Sequence, residues 1–194
     1  MPLFDVTSLR FAAQQELRKA GPARTAAQQL SEAVRAQNRR DTFDIFLSHS
    51  FADAELILGL RNAITEMGFS VYVDWLEDPS LDRNNITSQT ATILRARMRQ
   101  SASLLFATSD AAAKSRWMPW ELGYFDGYRG RVAIVPVSAS SAPGDHFEGR
   151  EYLGLYPYVT AGIASNTGRQ TLWIHDSERK WVDIRSWLKG SSPR

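Results

Sequence analysis

Four short apolar stretches, each divided from the next by a helical pattern, constrain this chain more than any other feature. They are Phe43 to Leu47 (FDIFL), Phe69 to Val73 (FSVYV), Ala102 to Ala107 (ASLLFA) and Val132 to Val137 (VAIVPV). Their side chains are apolar on both faces, so each strand must be covered from both sides. Asp53 to Met67 reads as the first intervening helix, with Leu56, Leu60, Ala63, Ile64 and Met67 on one side and Gly68 as its stop. Ser88 to Arg99 is the second, with Ile93, Leu94 and Met98 inward, and Trp117 to Tyr128 is the third. This βαβαβαβ alternation predicts an α/β domain, an open parallel sheet flanked by helices.

The flanks are less regular. Ser8 to Ala20 and about Ala23 to Asn38 form a predicted helical hairpin, broken at Gly21-Pro22, with Ser8 as the expected cap of the first helix. Ala26, Ala27, Leu30, Ala33 and Val34 make an apolar face too small to be a core, so the hairpin must pack on the main domain or on another copy. Residues 1–41 are therefore read as an N-terminal helical extension and residues 42–189 as the main domain. The polar stretch Asp74 to Thr87 and the stretch Ser138 to Gly149 are predicted loops. Thr171 to Ile174 is a candidate edge or fifth strand. Glu178 to Leu188 is a predicted closing helix, with Trp181, Ile184, Trp187 and Leu188 inward. Residues 190–194 are expected to be a disordered tail.

Composition excludes several kinds of chemistry. The 194 residues contain no cysteine, which removes disulfides, thiolate catalysis and cysteine-ligated zinc. His49, His146 and His175 show no ligand spacing, so no metal is expected. A net charge of +2 neither predicts nor excludes nucleic acid. Between Ser8 and Arg40 seven Lys or Arg face two Glu, so the extension is the basic part. The main domain shows no basic and aromatic surface suited to nucleic acid, and the Arg39-Arg40 pair reads as plain solubility. No apolar run is long enough to cross a bilayer and no signal peptide opens the chain, so a cytoplasmic protein is expected.

An open parallel sheet binds ligands outside the carboxyl ends of its strands, where strand order reverses. The groups leaving those ends include Ser48-His49-Ser50, Asp74-Trp75 and Thr108-Ser109-Asp110. Glu121 lies early on the helix after the third strand, within RWMPWELG (Arg116 to Gly123). No GxGxxG and no GxxxxGK[ST] follows the first strand, which argues against a dinucleotide dehydrogenase or a P-loop NTPase. Two readings fit each candidate. Glu121 is either a catalytic carboxylate or a solvated helix glutamate. Ser48 and Ser50 either touch a nucleotide or bond within their own turn, and His49 either touches substrate or caps the following helix. Asp74 contacts a ribose or simply ends a strand. Trp75 stacks on a base or on a neighbouring subunit. Trp117 and Trp120 wall a pocket or pack their helix. Arg83, Arg95 and Arg97 read mainly as solvated charge.

The opening strand Asp44 to Ser50 (DIFLSHS), the strand Phe69 to Val73 running into a long loop, and the Trp-x-x-x-Glu spacing of Trp117 to Glu121 together resemble the TIR (Toll/interleukin-1 receptor) domain family. The likeness is to its bacterial members in particular, and it is good from about Thr42 to Val137 and loose beyond. It implies a flavodoxin-like sheet and cleavage of the nicotinamide–ribose bond of NAD, with NAD as substrate and no cofactor. Glu121 matches the family's catalytic glutamate. Asp74 to Thr87 matches its loop after the second strand, which closes over the nucleotide or mediates assembly. Ser48, His49, Ser50, Asp74, Trp75, Trp117 and Trp120 are then the candidate NAD contacts. Some bacterial members make cyclic ADP-ribose isomers that signal to a separate antiviral effector protein. A homo-oligomer is expected, since a neighbouring subunit can complete such a site. Two alternatives fit the same residues: a non-catalytic interaction module of the same fold, and a nucleoside deoxyribosyltransferase-like enzyme.

Overall fold

The structure is a computed structural model that describes residues 4–21, 24–37, 41–73, 87–109, 112–138, 147, 149, 151–165 and 167–194. The four predicted strands are present as β2 (Phe43–Ser48), β3 (Val71–Val73), β4 (Ser101–Thr108) and β5 (Val132–Ser138), all parallel. Three helices connect them: α3 (Ala54–Glu66), α4 (Ser88–Arg99) and α5 (Trp117–Arg129). A further strand, β6 (Tyr158–Ile163), joins β5 in parallel, and the order β3-β2-β4-β5-β6 is that of a flavodoxin-like sheet. The predicted α/β class is what the chain adopts.

The sheet divides the core into two layers. One face carries α3 with α1 (Val6–Ala20), α2 (Ala26–Gln37) and α6 (Ile184–Leu188), built from residues such as Leu9, Leu30, Leu56, Leu60, Ile184 and Trp187. The other carries α4 and α5, through Leu94, Met98, Trp117, Met118, Leu122 and Phe125. The N-terminal helices therefore share the core of the main domain. At their closest approach Gly59 faces α1, and a Cβ added there would lie 2.1 Å from the carbonyl oxygen of Leu9. Only a residue without a side chain lets the two helices approach this closely. Asp5, not Ser8, caps α1: its Oδ1 accepts from the Ser8 amide at 2.7 Å. Thr25 caps α2 reciprocally with Gln28, a capping box the hairpin reading did not use.

Ahead of α1 lies β1 (Phe4–Asp5), parallel to the carboxyl end of β5 in the register Phe4 with Val137 and Asp5 with Ser138. Pro136 lies where the edge of β5 passes from β6 to β1. The Ile134 amide donates toward β6, to Pro157, at 2.8 Å. Two residues on, the same edge is presented by Pro136, which has no amide to donate. The β5–β6 pairing is a single bridge at Ile134 and Tyr158, and beyond it β1 takes the edge.

The last quarter departs from expectation. β6 runs into antiparallel β7 (Gln170–Ser177), which is longer than the predicted Thr171 to Ile174 and is not the edge. The predicted helix Glu178 to Leu188 is instead a turn, an edge strand β8 (Lys180–Asp183) and the short α6. Asp183 divides them, its carboxylate accepting from the Ser186 amide at 3.1 Å as an N-cap. Ile184 and Trp187 point into the core as expected, but Trp181 is 43% exposed on the edge strand. The tail also has a place: Trp181 and Arg194 exchange backbone hydrogen bonds, and the Arg131 guanidinium donates to the Ser191 carbonyl. The predicted loop Asp74 to Thr87 lies almost wholly outside the described residues.

Candidate active site

Strand order reverses between β2 and β4, since β3 continues on one side of β2 and β4 starts the other. The crevice of such a sheet opens at the carboxyl ends of these two strands. Ser48 is the last residue of β2 and is in register with Phe106 of β4. α5 follows β4 and turns Trp117, Met118, Glu121, Leu122 and Phe125 inward. A carboxylate is out of place on such a face, because burying a charge costs several kcal/mol unless it is compensated.

Compensation comes from across the crevice. The Ser48 hydroxyl donates to Glu121 Oε2 at 2.6 Å, although 73 residues separate them. Both residues are 0% exposed. An O–H···O contact of this length lies at the short end of protein hydrogen bonds. The structure thus brings together Ser48 and Glu121.

His49 is buried beside them, 1% exposed. Its Nδ1 lies 2.8 Å from the Leu47 carbonyl. A carbonyl only accepts, so Nδ1 carries the proton and donates it, which orients the ring. Ser50 is half-buried and its carbonyl accepts from the Asp53 amide. Trp117 is buried in the layer beneath α5 and meets Trp120 edge to face, with ring centres 5.4 Å apart. Trp120 is half-buried and stacks on Tyr124, which stacks in turn on Tyr128 along the outer side of α5. The Arg99 Nε donates to the Tyr124 hydroxyl at 2.9 Å. Trp120 thus belongs to a row of aromatics on the helix exterior. Asp74 and Trp75 lie outside the described residues.

Sequence reasoning assigned no role to the residues that tie the rim of the crevice. Ser109 Oγ donates to Asp53 Oδ2 at 2.6 Å and accepts from the Ala112 amide, joining the turn after β2 to the end of β4. Thr108 Oγ1 donates to the Val135 carbonyl and accepts from the Val137 amide, joining β4 to β5. Hydroxyl residues at the carboxyl end of a buried strand were the available signal. Among the described residues no group of three or more His, Asp or Glu side chains could hold a metal ion.

This is a flavodoxin-like domain with a buried carboxylate at its switch point. No family model matches the chain. It is 51% identical over 160 residues, 82% of its own length and 82% of the relative's, to a protein of Bacillus cereus (strain MSX-D12) named as a probable 3′ cyclic ADP-D-ribose synthase, ThsB′. It is 32% identical over 94 residues to a putative cyclic ADP-D-ribose synthase, TIR2, of Cytobacillus dafuensis, which covers 48% of this chain and 24% of that one. The chain belongs to the bacterial TIR-type family of cyclic ADP-ribose synthases.

Proposed function

We propose that this protein cleaves the nicotinamide–ribose bond of NAD and closes the remaining ADP-ribose into a cyclic isomer, with Glu121 as the catalytic carboxylate. The observation that carries the reading is the Glu121 carboxylate held against Ser48 where the strand order reverses. The names of the two relatives support the same substrate and product class. Nicotinamide leaves with the electron pair of the broken bond and becomes neutral, so no general acid is needed. Positive charge develops on the ribose, and an ionised Glu121 beside it stabilises that charge and accepts from ribose hydroxyls. The 3′-hydroxyl of the adenosine ribose then bonds to the ribose carbon that nicotinamide left and gives its proton to water, which closes the ring. Attack by water instead gives linear ADP-ribose.

NAD is the substrate and no cofactor takes part. His49, Ser50, Asp74, Trp75 and Trp117 are the proposed NAD contacts, and a homo-oligomer is the active form. The product acts as a signal in antiviral defence, read by a separate effector protein in the cytoplasm. No helix among the described residues is long and apolar enough to cross a membrane. The test is to incubate the purified protein with NAD and separate products by mass and by retention, since cyclic isomers share a mass. Formation of a cyclic isomer that disappears with Glu121→Gln is the expected result. Undiminished NAD at high protein concentration would overturn the reading.

A further inference from the structure

We infer that Ser48 is a positioning residue, whose hydroxyl holds one carboxylate oxygen of Glu121 and so fixes the direction in which the carboxylate faces the substrate. This rests on the reading of Glu121 as the catalytic group, and it gives Ser48 a role other than direct contact with NAD.

Three observations carry it. The contact is short, 2.6 Å, and both partners are wholly buried, so water does not compete for the bond. Its two ends stand on rigid elements. Ser48 ends β2, locked in register with β4 by the pairing of Ser48 with Phe106. Glu121 sits on a helix anchored by Met118, Leu122 and Phe125 in the core below. The Ser109 to Asp53 bond then ties the turn that follows Ser48 to the end of β4.

A glutamate side chain has three rotatable bonds, and fixing them before substrate arrives removes a cost from the reaction itself. The same hydroxyl cannot both donate its one proton to Glu121 and donate it to NAD. The geometry assigns that proton to Glu121.

The test compares Ser48→Ala with the isosteric pair Ser48→Thr and Ser48→Val, each confirmed folded by thermal unfolding. Ser48→Ala is expected to lower kcat about 10- to 100-fold, the scale of a misplaced catalytic group, with KM for NAD little changed. Thr restores a hydroxyl at the same volume as Val, so the Thr variant should turn over NAD at least about 10-fold faster than the Val variant if the bond matters. Equal rates for Thr and Val overturn the inference, because only packing would then be at stake. A rise in KM with kcat unchanged also overturns it and makes Ser48 a substrate contact. Glu121→Gln run alongside separates the two levels: if that variant keeps full activity, the catalytic assignment fails before the question of Ser48 arises.

Discussion

The parallel half of the sheet, β2 to β5, and its antiparallel end, β6 to β8, solve different problems. In the parallel half every strand is covered by helices on both faces, and the strand order reverses between β2 and β4. At that reversal three polar contacts join different elements: Ser48 to Glu121, Ser109 to Asp53, Thr108 to β5. In the antiparallel end the comparable contacts are cross-strand and local. Tyr158 stacks on His175 with ring centres 5.0 Å apart, and Thr160 Oγ1 hydrogen-bonds His175 Nε2 at 2.9 Å. Asp183 caps the helix next to it. The first region joins distant parts of the chain around a carboxylate, and the second closes the sheet. Variants in the first should change turnover, and variants in the second should change stability.

The largest expected effect lies in the crevice. Glu121→Gln keeps the shape and an acceptor for Ser48 but removes the charge, so turnover of NAD should fall by about 10²- to 10³-fold, the cost of losing one positioned electrostatic group. Thermal unfolding should show the variant folded, and near-normal turnover would mean that the carboxylate beside Ser48 does not govern the reaction.

Gly59 comes next. Any side chain there meets the Leu9 carbonyl, so Gly59→Val should destabilise the protein by about 1–3 kcal/mol in urea unfolding, the usual range for overpacking. An unaltered midpoint would mean that α1 can shift away from α3 at no cost.

Asp183→Ala should cost about 1 kcal/mol, as for other lost N-caps, with kcat intact. Burial alone would raise the Asp183 pKa, but hydrogen bonds from the Ser186 hydroxyl and the Ser186 and Arg185 amides outweigh it and hold the carboxyl below its ordinary value of 3.8. A lowered folded-state pKa stabilises above the unfolded value, and the contribution is lost as pH falls through the folded one. The difference between wild type and Asp183→Ala should therefore shrink below about pH 4, which unfolding at a series of acid pH values will read.

The smallest effect belongs to Tyr156, whose hydroxyl donates to Asp126 on α5 at 3.0 Å. Burial first, and this hydrogen bond second, push its pKa up to about 12. A raised folded-state pKa stabilises below the unfolded value near 10 and is lost as pH rises through the folded one. Tyr156→Phe should thus flatten the decline in stability between pH 10 and about 12, and a phenolate titration that leaves the high-pH step in place would contradict the assignment.

Where sequence reading succeeded, the signal was local and periodic. FDIFL, ASLLFA and VAIVPV became β2, β4 and β5 within a residue or so, because a strand covered on both faces has few other compositions to choose from. It failed where short elements follow one another. Trp181, Ile184, Trp187 and Leu188 fit a helical spacing, yet Lys180 to Asp183 is a strand, since pairing with β7 outweighs the intrinsic preference of four residues. The N-terminal hairpin was legible as helices, but the strand before it was not: Phe4 and Asp5 are too few to show a period, and they pair with the end of β5 only in the folded chain.

The sequence by itself determined the alternation of strands and helices, the absence of thiol chemistry, and the place of Glu121 early on the helix after β4. All of these follow from composition and from periods of two or about 3.6 residues, which need only near neighbours. The tertiary structure alone decided that Glu121 turns inward onto Ser48, that Trp120 joins an outer aromatic row, and that α1 lies against Gly59. Such contacts depend on sheet register and on the rotation of a helix over the sheet. Both are set by packing across many residues of separation.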